Sequence, residues 1–156
     1  MLYQREVERM YKRVLIPLDG SALAEQALPH AIAQAKHFEA ELIPLQVLAL
    51  LPSPPLLGEV ARSRAKASSN VLAREYLERV VASAQEHDIP VQVATAQGSP
   101  PVAITRFAEA HRVDLIVMST RGQSGLSRWL MGSVADRVVR GATVPVLMVR
   151  TRKENA

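Results

Sequence analysis

The chain has 156 residues, a net charge of +4 and a hydrophobic fraction of 48%, which suits one domain with a buried core and argues against a disordered chain. It contains no cysteine, which excludes a disulfide framework, thiolate catalysis and cysteine-bound metal. Arginines spread along the chain and an aromatic content of 4% disfavour nucleic acid as a partner, because no stacking platform is available.

The first twelve residues mix charge with scattered apolar groups and lack the apolar segment of a signal peptide. The most apolar stretch, Leu42 to Leu51, is too short to cross a bilayer and contains Pro44. The expectation is a cytoplasmic protein with no membrane partner. Residues 1–156 read as a single domain, with 1–11 as an N-terminal extension and 151–156 as a polar tail.

In chain order, Arg13 to Leu18 is a short apolar run and reads as a buried strand. Asp19, Gly20 and Ser21 form a turn in which Asp19 or Ser21 suits a helix cap. Leu28, Ala31, Ala35 and Phe38 recur at helical spacing and predict a helix near 22–38. Glu41 to Leu48 reads as a second strand, in which Pro44 demands a place where no N–H is needed. Pro52 to Gly58 is a proline-rich loop. Ala73, Leu77, Val80 and Ala84 then line one face of a long helix, about 60–87.

Val91 to Thr95 alternates as a third strand does. Gly98 to Pro101 starts a helix with Ser99 as its cap and Pro100 at its first position; Ile104, Phe107, Ala108 and His111 mark its inner face. Leu115 to Met118 is the fourth strand, with Asp114 before it as a turn or surface acid. Ala135, Val138, Val139 and Ala142 mark a last helix ending near Gly141, and Val144 to Val149 is the fifth strand.

Continuous apolar strands alternating with amphipathic helices predict an α/β protein, a five-stranded parallel sheet covered on both faces. Ligands in such sheets sit beyond the carboxyl ends of the strands. Two loops fall there: Leu18-Asp19-Gly20, and the small-residue segment that begins at Ser119. In that segment Ser133 reads as a helix cap, and the first-turn amides after it form an anion site. Gly122 permits close backbone approach or a positive φ, and Arg121 and Arg128 supply charge-assisted hydrogen bonds. The competing reading is a tight turn with solvated serines. There is no P-loop lysine and no GxGxxG. Gly122-Gln-Ser-Gly125 lacks the closing glycine of a nucleophile elbow, since Leu126 stands there, and no histidine–acid pair accompanies Ser124. The four histidines show no metal-ligand spacing, and Trp129 reads as a residue that packs the loop or meets a partner chain.

The segments VLIPLDGS, VDLIVMSTRG, GSVADRVVR and VPVLMVR, in that order, resemble the universal stress proteins over nearly the whole chain. The nucleotide-binding branch of that family carries a signature of Gly, two residues, Gly, nine residues, then Gly and Ser or Thr. Ser119, Gly122, Gly132 and Ser133 match its spacing, with Ser119 in place of the first glycine. The resemblance implies a Rossmann-like sheet of order 3-2-1-4-5, a homodimer through the C-terminal strand Val144–Val149, and ATP at the strand ends with Mg²⁺ carried by the phosphates. By position it implies that Pro17, Leu18, Asp19 and the Val47 backbone take the adenine side. Met118, Ser119, Arg121, Gly122, Gly132, Ser133 and Val134 take the ribose and phosphates. Serine at 119 is tolerated if the backbone there is ordinary extended strand and is obstructive if the position needs a positive φ or very close approach of phosphate or ribose.

The resulting expectation is an ATP-binding stress-response or signalling module whose state is read by unidentified protein partners. The alternative is a nucleotide-free interaction protein of the same fold. No residue pair sets a general base against an oriented nucleophile, so enzymatic activity extends at most to slow ATP hydrolysis or autophosphorylation.

Overall fold

A computed structural model describes residues 10–50, 58–122 and 131–151. The N-terminal extension before Met10, the loop 51–57, the segment 123–130 with Ser124, Arg128 and Trp129, and the tail 152–156 lie outside the described residues. Five parallel strands, β1 (Arg13–Pro17), β2 (Glu41–Leu48), β3 (Ala94–Gln97), β4 (Leu115–Ser119) and β5 (Val146–Val149), form one sheet in the order β3-β2-β1-β4-β5. Among the described residues six helices accompany them: α1 (Ala22–Glu25), α2 (Leu28–Phe38), α3 (Glu59–Val80), α4 (Ala82–Gln85), α5 (Pro100–Ala110) and α6 (Ser133–Gly141).

Alternation along each strand divides the apolar side chains between two faces. On one face Val14, Ile16, Leu42 and Val117 pack with Ala27, Ala31, Leu77 and Val81 from α2 and the α3–α4 region. On the other, Leu15, Ile43, Leu45 and Ile116 pack with Ile104, Ala108, Ala135 and Val138 from α5 and α6. Nearly all of β1 and β4 is buried, which is why their sequences run apolar without interruption. The chain leaves β1 first toward β2 and returns later as β4 on β1's other side, so the strand order reverses between β1 and β4.

Local structure departs from the periodicity in four places. The helix expected over 22–38 is two helices, because Pro29 lacks the N–H that would bond the carbonyl of Glu25 and its ring crowds that carbonyl. The helix expected over 60–87 breaks at Val81, whose φ of -90° and ψ of 3° leave the helical range, and Ala84 N–H closes an i→i+3 turn on Val81 O. The third strand begins at Ala94; upstream only Val91 bridges to Leu42. Pro44 accounts for that gap. Leu42 exchanges both of its bonds with the β3 side, donating to Pro90 O and accepting from Gln92 N, so the missing donor two residues on faces β3 as well. The fifth strand is regular only from Val146, with Pro145 contributing a carbonyl to Ile116 N.

At the amino ends of the strands, Asp114 is more than a surface acid. Its Oδ2 accepts from the amides of both Lys12 and Arg13, each at 2.9 Å, and ties the entry of β1 to that of β4. Arg13 completes the corner through its Nη1, which donates to His111 O at 2.7 Å, and its Nε, 3.2 Å from Glu41. Asp114→Ala leaves two strand-end amides without that acceptor. It is expected to cost about 1–3 kcal/mol of stability in a denaturant titration, with Asp114→Asn retaining part of it.

A candidate nucleotide crevice at the strand ends

The turn after β1 is organised by Asp19. Its Oδ1 accepts from the amide of Ser21 at 2.9 Å and from the Ser21 hydroxyl at 2.6 Å. Ser21 in turn caps α1, its Oγ accepting from Ala24 N at 3.1 Å. Gly20 between them has a φ of +84°, a conformation that glycine adopts without strain. The other oxygen of Asp19 lies against Gly122, so close that a Cβ at 122 would collide with it. Gly122 is therefore required for close approach, and its φ lies outside the left-handed range.

Ser119 is the last residue of β4, paired with Val149, and is buried in ordinary strand backbone without a positive φ. Its hydroxyl donates to Arg121 O and stays within its own turn. The serine thus occupies the first position of the glycine signature without backbone strain.

The segment returns at Gly132, and here the sequence reading needs correction. Ser133 is the first helical residue of α6, not its cap; the cap position is Gly132, and among the described residues no side chain caps the helix start. The Gly132 amide is committed to Thr120 O at 2.7 Å and is unavailable to a ligand. A Cβ at 132 would sit 3.2 Å from that same oxygen, which explains the glycine. Among the described residues nothing accepts from the amides of Ser133, Val134 and Ala135, so the first turn of α6 retains donors. Asp136, in the same turn, is paired with Arg140 at 3.1 Å, which offsets its charge near that end.

These loops enclose one cavity of about 520 Å³ at the carboxyl ends of the strands, where the strand order reverses. Pro17, Leu18, Asp19, Val47, Met118, Ser119, Arg121, Gly122, Gly132, Ser133 and Val134 all line it. So do residues the sequence reading passed over, among them Gln46, Leu48 and Ala49 at the end of β2, and Pro100 and Ile104 at the start of α5. Their signal was topological: Gln46, Leu48 and Ala49 end or follow β2, which the sheet order sets beside β1, and Pro100 follows β3, which lies beside β2. Among the described residues no cluster of His, Asp and Glu could hold a metal. No helix of the described residues is long and apolar enough to cross a membrane.

Outside the cavity lining, Tyr76 on α3 donates to Glu25 Oε1 at 2.9 Å. Burial, then the bond to Glu25 and the charges of Glu25 and Asp19, push its phenol well above the usual tyrosine range, partly opposed by the Gly20 backbone. The hydroxyl remains a donor throughout the physiological range.

A doubly wound α/β sheet with a ligand-sized crevice at its switch point defines the class of this protein. The model of the universal stress protein family matches residues 10–150, and the chain belongs to that family. A universal stress protein of Methanocaldococcus jannaschii, MJ0531, is 38% identical over 153 residues, covering 96% of this chain and 88% of the relative. One from Thermus aquaticus is also 38% identical, over 90% of this chain and all of its own length. Among solved structures, that of MJ0577 superposes with a TM-score of 0.80 at 29% identity, covering 93% of this chain and 99% of that one. Two further universal stress protein structures share the fold. One, in complex with cAMP, has a TM-score of 0.66 at 24% identity, covering 92% of this chain and 99% of its own; another, from Archaeoglobus fulgidus in complex with dAMP, has 0.61 at 21%, covering 89% and 98%.

Proposed function

We propose that this protein binds ATP in the crevice and acts as a dimeric stress-response module whose nucleotide state is read by other proteins. The observation that carries the reading is the convergence of three features on one cavity. The α6 first turn brings unpaired amides, the Asp19 turn brings an acceptor, and β2 brings an apolar wall around Val47. Amides at a helix start favour phosphate oxygens, and the apolar wall beside Asp19 suits a purine face. With the Gly132 amide already committed, the phosphates are assigned to Ser133, Val134 and Ala135, with Arg121 beside them. Magnesium would enter on the phosphates, which fits a site whose described residues offer no carboxylate cluster.

The extended backbone at Ser119 favours this reading over a nucleotide-free protein, since the serine causes no backbone strain there. Adenine nucleotides bound to two proteins of the same fold are consistent with it, although at 24% and 21% identity those proteins share the fold alone. Calorimetric titration of the purified protein with ATP and magnesium is expected to show saturable binding. Absence of heat at millimolar nucleotide would reject the assignment.

A further inference from the structure

Tyr76 is not among the cavity-lining residues, yet a continuous run of contacts leads from it into the crevice. Its hydroxyl holds Glu25 at the end of α1. α1 is capped by Ser21, Ser21 is held twice by Asp19, and Asp19 faces Gly122 across the crevice floor. Two links in this run are weak by themselves. A four-residue helix has no cooperative stability of its own. Gly20, at a φ of +84°, carries no side chain to restrict the turn. What holds the far end of α1 therefore contributes to the placement of Asp19. Ala24 anchors it in the core, and Tyr76 supplies a polar tether through Glu25.

We propose that Tyr76 and Glu25 form a positioning pair that fixes the Asp19–Gly20–Ser21 turn against Gly122 and so sets the base end of the nucleotide site. The inference rests on the nucleotide reading for its effect on binding, but its local part concerns the turn alone. Tyr76 acts through Glu25 and through the Gly20 backbone, and it does not line the cavity. The phosphate end, built from the first turn of α6, lies outside its reach.

The test compares wild type with Tyr76→Phe, which keeps the ring and its packing, and with Glu25→Gln, which keeps an acceptor. Amide hydrogen exchange of Ser21 and Ala24 is followed in the ligand-free protein. Affinities are measured for ATP, adenosine and inorganic tripolyphosphate. Tyr76→Phe is expected to speed exchange at both amides about tenfold and to weaken ATP and adenosine by a similar factor, the equivalent of one hydrogen bond to a charged group. Tripolyphosphate affinity stays at the wild-type value, and Glu25→Gln falls between wild type and Tyr76→Phe. Exchange at the wild-type rate overturns the inference, as does equal weakening of all three ligands, which reports general loosening. If wild type binds none of the three, the site reading fails, and the exchange measurement alone decides the positioning role.

Discussion

Gly122→Ala is expected to weaken ATP binding by about thirtyfold, roughly 2 kcal/mol. The added methyl cannot share space with Asp19 Oδ2, and the nearest atoms beyond it belong to the same carboxylate. The carboxylate must turn, and turning it breaks the paired bonds from Oδ1 to the Ser21 amide and hydroxyl. The loss therefore extends beyond the contact itself to the cap of α1. Gly132→Ala provides the comparison. There a methyl meets Thr120 O at 3.2 Å, a crowding that a shift of a few tenths of an ångström relieves, so a smaller loss is expected. Calorimetry on both variants, with far-ultraviolet dichroism to verify folding, separates the two. Equal affinity of Gly122→Ala and wild type would mean that Asp19 does not need its observed position.

The Gly122–Asp19 contact also marks where sequence reasoning stopped. The strands were legible because β1 and β4 are buried on both faces and so run apolar. Their order came from resemblance and agrees with the observed sheet. The eleven candidate positions meet in one cavity because they fall at strand ends that this order brings together. What stayed hidden was pairing between distant segments. Nothing around residue 122 announces that its neighbour is residue 19, and nothing near 132 announces that its amide is spent on Thr120. The double role of Asp114 was invisible for the same reason, since its partners lie about a hundred residues away. The break at Pro29 was of another kind. Proline's missing donor was in plain view, but the apolar spacing of Leu28, Ala31 and Ala35 continues the pattern across it, and periodicity outweighed chemistry.

A second copy of the chain is the expected partner at β5, and Leu147→Lys is expected to separate the two. Among the described residues β5 pairs only with β4, which leaves its outer edge with unsatisfied amides and carbonyls. Leu147 on that edge strand is exposed. A monomer would present it to water beside an open strand. Antiparallel pairing of two β5 strands about a two-fold axis fills the edge and covers Leu147 in the same step, because a closed isologous contact uses the same patch twice. A lysine at 147 is then introduced twice per dimer, and both ammonium groups must be desolvated or turned out of the interface. Sedimentation is expected to show wild type as a dimer and Leu147→Lys as mainly monomer, with a dissociation constant raised by at least about thirtyfold. ATP affinity measured on the monomeric variant then shows whether the crevice works alone, since its lining comes from β1, β2, β4, α1, α5, α6 and the adjoining turns of one chain. A wild-type mass that stays monomeric at every concentration would remove the dimer and leave the edge strand to another partner.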